Sequence, residues 1–183
     1  MPEGLFDALP QDMLLDLVKY LQSSTGPATA TPKNGASEPL MVSGALEGES
    51  LTAKATAGKV KTQNMANFKA GEWSGGKHLW WTGGKVGDKL TVSFPVKKAG
   101  LQKVHAVFTK APDYGIVRLA VDGQPSVLGD LDLYRGNVSN TQVRFIGEFD
   151  LQPGDHMLEV TIIGHNEKAK PAMMFALDYL TVK

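Results

Sequence analysis

Three tryptophans fall within nine residues, Trp73-Ser74-Gly75-Gly76-Lys77-His78-Leu79-Trp80-Trp81, in a stretch otherwise glycine-rich and polar. Indole is costly to expose and rich in contact area, so the cluster is either the plug of a core or the floor of a binding site. As a floor, flat rings stack on the apolar C–H faces of sugar rings while nearby polar groups take the hydroxyls. Lys77, His78, Asp113 and Tyr114 are available for that role. Carboxylates offer a second chemistry. Strand alternation puts Glu49 on the face of Leu51 and Ala53, and Asp178 on the face of Leu180 and Val182. If those faces point inward, two carboxylates stand at the margin of a core, where uncompensated charge is expensive. A hard cation with oxygen ligands, calcium above all, would satisfy both and tie the first strand to the last. The alternative is that both sit at strand ends and meet water or a lysine.

Other chemistries find little footing. The histidines at 78, 105, 156 and 165 show no metal-ligand spacing, and the chain has no cysteine. Gly-x-Ser-x-Gly, P-loop and dinucleotide fingerprints are absent. A glycosidase carboxylate pair is open in principle, but its separation is not a property of sequence. The reading is therefore a binding module rather than an enzyme. Lys plus Arg equals Asp plus Glu at 19 each, which argues against a nucleic acid or anionic membrane as partner. No run approaches the roughly 20 apolar residues of a membrane span, so membrane insertion is not expected. Met1-Pro2-Glu3-Gly4 has neither the basic nor the apolar region of a signal peptide. Oligomeric state leaves no mark on the sequence.

These residues need elements to position them, and the chain divides into three segments. Residues 1–22 carry Leu14, Leu17, Val18 and Leu21 at helical spacing opposite Asp12, Asp16 and Lys19, which predicts a short amphipathic helix. A helix this short is marginal alone, so its stripe wants a partner. Residues 23–39 are small, polar and proline-punctuated, a linker. From residue 40 to 183 the period is two. Thr91–Val96, Val104–Phe108, Val117–Val121, Val143–Phe149, Leu158–Ile162 and Phe175–Val182 read as strands, separated by turn signals at Gly87-Asp88, Ala99-Gly100, Asp122-Gly123 and Pro153-Gly154. Strands without intervening helices indicate an all-β, antiparallel β-sandwich, a jelly roll. Alternation puts Trp80 and Trp81 on opposite faces, so one can be core while the other is exposed, and Trp73 precedes a flexible Ser-Gly-Gly loop. The Thr109–Gly115 loop is either a sandwich-end site or a tight structural turn. The stretch Asp130, Asp132, Tyr134, Arg135 and Asn137 carries the same ambiguity, and Asn137-Val138-Ser139 matches a glycosylation sequon.

Residues 44–183 resemble the galactose-binding-like jelly-roll modules of carbohydrate-binding proteins, and in particular the C-terminal module of bacterial relatives of glycoside hydrolase family 172. The resemblance rests on Leu46-Glu47-Gly48-Glu49, Trp73-Ser74-Gly75, Leu79-Trp80-Trp81, Thr109 to Gly115, Leu131-Asp132-Leu133-Tyr134, Gly154-Asp155-His156 and Leu177-Asp178-Tyr179-Leu180. It implies a structural calcium held by Glu47, Glu49 and Asp178. A second resemblance covers residues 1–22: Met1-Pro2-Glu3-Gly4-Leu5 with Asp16-Leu17-Val18-Lys19-Tyr20-Leu21 is similar to the end of a c-type cytochrome domain. Without a Cys-x-x-Cys-His motif no haem is expected in this chain. The likeness implies a larger, extracytoplasmic bacterial parent. Together these readings give a non-catalytic module that binds a polysaccharide or glycan through Trp73, His78, Trp81, Asp113 and Tyr114. The alternative is a structural or protein-interaction sandwich with no sugar ligand.

Overall fold

The computed structural model describes residues 40–68 and 72–183. The expected helix over 1–22, its cytochrome-like pattern and the linker over 23–39 lie outside the described residues. Among the described residues no helix is long and apolar enough to cross a membrane.

Period-two patterning folds as expected into two antiparallel sheets. The first holds β1 (Leu46–Glu47), β3 (Lys59–Asn64), β4 (Lys77–Thr82), β6 (Gly100–Lys110), β9 (Ser139–Asn140), β10 (Arg144–Leu151) and β12 (Phe175–Val182). Its order is β10-β6-β12-β4-β3, with β1 paired to β12 and β9 to β6. The second runs β2-β5-β11-β7-β8, from β2 (Ala53–Ala55), β5 (Lys89–Val96), β11 (Gly154–His165), β7 (Gly115–Val121) and β8 (Gln124–Asp132). Consecutive strands cross repeatedly from one sheet to the other, as in a jelly roll. Leu90, Val92 and Phe94 alternate inward from β5 and Leu158, Val160 and Ile162 from β11, meeting Leu79, Trp81, Phe108, Phe175 and Leu177 of the facing sheet. The Asp122-Gly123 turn joins β7 to β8 with both residues at positive φ, 47° and 76°, the conformation that matches the twist of a tight hairpin.

Two departures from simple alternation matter for the site. Strand β12 is buried along nearly its whole length, its outward residues Ala176, Asp178 and Tyr179 included. The segment around Trp73 covers that outer face: the Trp73 ring is 2% exposed, and its Nε1–H donates to Thr109 Oγ1 of β6 at 2.9 Å. A bulge between Leu177 and Tyr179 leaves Asp178 without a cross-strand partner on β6. Leu180 and Val182 continue inward opposite Ala106 and Val104, out of phase with Asp178. The expected sharing of a face by Asp178, Leu180 and Val182 is therefore incorrect. Glu49 stands on a single 3-10 turn, Gly48–Ser50, rather than on a strand, yet it lines one cavity with Leu51 and Ala53.

Candidate functional site

The acidic residues converge even though alternation does not bring them together. Glu47 leaves β1 and Glu49 leaves the 3-10 turn. Gly48 between them packs so closely on β12 that a Cβ there would stand 2.3 Å from the Leu177 carbonyl oxygen. Only glycine permits that approach, and it aims both glutamates at the loop after Trp73. A Cβ on Gly75 would meet Glu49 Oε1 at 3.3 Å and Glu47 Oε2 at 3.9 Å, so the two carboxylates flank one glycine. Ser74 links them to Asp178: its hydroxyl donates to Glu47 Oε1 at 2.6 Å, and its backbone N–H donates to Asp178 Oδ1 at 3.1 Å. Asn140 Nδ2 donates to Asp178 Oδ2 at 2.8 Å and to the Glu72 carbonyl.

Electrostatics set this cluster apart. Burial pushes the Asp178 carboxyl up to about 7, with Glu47 and Glu49 adding repulsion against the hydrogen bonds from Ser74 and Asn140. Burial, with a smaller contribution from Glu47, also raises Glu49. Glu47 Oε2, Glu49 Oε2 and Asn140 Oδ1 are buried acceptors with no hydrogen-bond partner. Orphaned oxygens beside repelling carboxylates are what a hard cation satisfies, so the donor set fits calcium in kind. Among the described residues, however, no three acidic or histidine side chains are already gathered as a metal-binding group. Binding would require rotation of the side chains toward one another.

The expected aromatic platform is corrected. Trp73 lies beneath its own loop. Trp81 is 1% exposed, packs in the core opposite Phe175, and donates its indole N–H to the Ala57 carbonyl at 2.8 Å. His78 is fully buried between Thr109 Oγ1 and Gln63 Oε1, both at 2.8 Å, and burial lowers its pKa to about 4. None of these three side chains is open to a ligand. The Trp80/Trp81 pair does split across the sheet, but Trp80 is the half-buried member on the outer side. Lys61 Nζ stands 4.5 Å from the centroid of its ring, a cation–π contact.

Trp80 lines a small open cavity of about 90 Å³ together with Gln63, Phe68, Asp113, Tyr114 and Met174. Loop residues Asp113 and Tyr114 line this cavity as well. Tyr114 is almost fully buried, so its ring forms wall rather than platform, and burial holds its phenol protonated well above the usual range. Asp113 is half-buried, and its carbonyl accepts the Met174 N–H at 3.0 Å, which fixes the loop. Sequence reasoning missed Gln63 and Phe68. The signal for Gln63 was its place two residues from Lys61 on a strand that pairs residue for residue with the tryptophan strand, Gln63 opposite His78 and Lys61 opposite Trp80. The polar stretch after Asp130 is structural instead: Asp130 pairs with Arg118, and Asp132 accepts from the Tyr134 N–H and the Asn166 side chain.

Comparison with known proteins finds no matching family profile and no curated protein similar in sequence. Among solved structures, a segment of Paenibacillus xanthan lyase superposes with a TM-score of 0.65 at 22% identity, over 84% of this chain and 14% of that one. The chain thus spans a small part of that protein's length, and the likeness shows a shared β-sandwich fold. Looser similarities, which carry no further weight, include a β-(1,4)-mannanase of Podospora anserina (TM-score 0.47, 17% identity, 76% of this chain and 27% of that one). A family 35 carbohydrate-binding module from Clostridium thermocellum is similar at TM-score 0.45 and 16% identity, over 75% of this chain and 95% of that one.

Proposed function

We propose that this chain is a non-catalytic glycan-binding module of a larger polysaccharide-active protein, and that its site is the cleft beside Trp80. The observation that carries the reading is the sorting of the three indoles: two are consumed by structure, while Trp80 lines a cavity beside a carboxylate and a carboxamide. An aromatic wall with a few convergent polar groups is the usual make-up of a sugar site. At about 90 Å³ the cleft admits the edge of one sugar, so the rest of a chain would run over Phe68 and the rim. The xanthan lyase likeness supports the fold context. If the polymer is an extracellular one, the parent protein would be exported. Calcium belongs to the same proposal as a structural ion at Glu47, Glu49, Asp178 and Asn140, supported by the orphaned oxygens of Glu47, Glu49 and Asn140.

Affinity electrophoresis of the full chain through gels of xanthan, β-mannan and β-galactan tests this. Retardation by at least one polymer, abolished in Trp80→Ala with the fold intact, is expected. Free migration in all three, or retardation indifferent to Trp80→Ala, would refute the reading.

A further inference from the structure

We propose that Gln63 is the specificity-determining donor of the cleft, its amide held with the NH2 group toward the ligand by a buried, proton-ordered chain from Trp73 through Thr109 and His78. The inference rests on the cleft being a glycan site.

The order of protons follows from what each group can do. An indole N–H only donates, so Thr109 Oγ1 accepts from Trp73. The Thr109 hydroxyl is fully buried, and its other neighbour is His78 Nδ1 at 2.8 Å. Two arrangements are then open. In one, Thr109 donates to Nδ1, and His78 Nε2–H donates to Gln63 Oε1 at 2.8 Å. In the other, His78 donates through Nδ1 and accepts from a flipped Gln63 amide. The second leaves the Thr109 O–H with no acceptor in a buried place, whereas the first satisfies every proton in the chain. His78 stays neutral in either arrangement, since burial holds its pKa near 4.

The consequence lies at the open end. With Oε1 committed to His78, Gln63 presents Nε2 and its two protons, and the side chain lines the cleft beside Trp80. Asp113 lines the same cleft and offers acceptors only. The site is therefore polar in a defined sense: it fits a sugar whose ring or hydroxyl oxygen accepts near Gln63 and whose hydroxyl donates near Asp113. A neutral amide pinned by one bond loses little freedom on binding, which makes its direction selective. Trp73, which reaches no ligand, acts here as a positioning residue.

Two measurements test this. Ring nitrogen NMR of His78 in the full chain should show Nε2 protonated and Nδ1 bare from about pH 5 to 8, the range in which an ordinary imidazole would titrate. A protonated Nδ1 overturns the proposal whatever the cleft binds. Titration calorimetry with oligosaccharides cut from the retarding polymer gives the second. Gln63→Glu keeps an acceptor for His78 and loses the amide protons. Thr109→Val breaks the chain without touching the cleft. Each should weaken binding about three- to tenfold, the worth of one net hydrogen bond. If Trp80→Ala abolishes binding while both variants, folded by thermal melt, bind like wild type, the role of Gln63 falls and the glycan reading stands. If no polymer retards the chain, or Trp80→Ala binds normally, the glycan reading falls and takes this inference with it.

Discussion

Replacing Asp178 by Asn should stabilise the ion-free protein, and the gain should shrink as the solution is acidified. The Asp178 carboxyl is buried, and its pKa rises from 3.8 to about 7 on folding. A carboxyl raised in this way contributes stability that is fully present below its unfolded pKa and is lost as pH rises through its folded one. At 1.36 kcal/mol per unit, a shift of about three units sets a ceiling of about 4 kcal/mol on what ionised Asp178 costs at pH 8. Asp178→Asn keeps the shape and removes the charge. In chelator its advantage over wild type should therefore approach that ceiling at pH 8, then fall by about 1.4 kcal/mol for each pH unit below 7, or about 3 kcal/mol in all by pH 5. His78, whose lowered pKa near 4 makes acid destabilising below its ordinary 6.5, titrates in the same window but is common to both proteins and cancels. Urea denaturation of both at several pH values reads the difference directly. If the cluster holds calcium, the ion should narrow the gap at pH 8, since at 100 times its dissociation constant it adds about 2.7 kcal/mol to wild type and little to the variant. A variant less stable than wild type in chelator at pH 8, or a difference flat from pH 5 to 8, would refute the account of this cluster.

Trp81→Ala should cost about 3–5 kcal/mol in urea denaturation, the range for deleting a buried large aromatic. Trp80→Ala should cost clearly less, and equal losses would contradict their assignment to opposite sides of β4. The His156 ring, held by Asp122 at 2.5 Å and by the Gln152 carbonyl, has its pKa raised chiefly by the Asp122 hydrogen bond. Its contribution to stability is present below pH 6.5 and is lost as pH rises through the raised value. Proton NMR titration should show the midpoint falling toward the ordinary value in Asp122→Asn, and an unmoved midpoint would count against that cause.

The sandwich was legible because period-two patterning and turn residues act locally: Leu90, Val92 and Phe94 alternate inward wherever the strand sits, and Asp122-Gly123 turns the chain by its own backbone preferences. What was not legible depends on neighbours. Alternation separates Trp80 from Trp81 but does not say which side of β4 is inside, a choice made by the register that sets Trp81 opposite Phe175. Trp73 could not be placed, because the loop that carries it folds over a sheet face whose polar anchor, Thr109, is 36 residues away. Asp178 defeats alternation through a bulge, and Glu49 stands on a 3-10 turn where a strand was expected. Both carboxylates nevertheless come together, because Gly48 lets the first strand press against the last.

One short segment serves both places where chemistry is concentrated. Trp73 begins the proton-ordered chain that ends at Gln63, while the next residue, Ser74, bridges Glu47 and Asp178, and Gly75 lies against both glutamates. Asn140, which binds Asp178 and the Glu72 carbonyl, stands opposite Thr109 on the neighbouring strand, so the two networks also meet across β6 and β9. A displacement of Ser74 would act through one peptide unit on Trp73, and with it on the indole N–H donor that orders Thr109. The acidic cluster and the cleft are therefore not independent features of one surface. The tryptophan that the sequence offers as a ligand platform has a different use: buried, it anchors to Thr109 the segment whose next residue bridges Glu47 and Asp178.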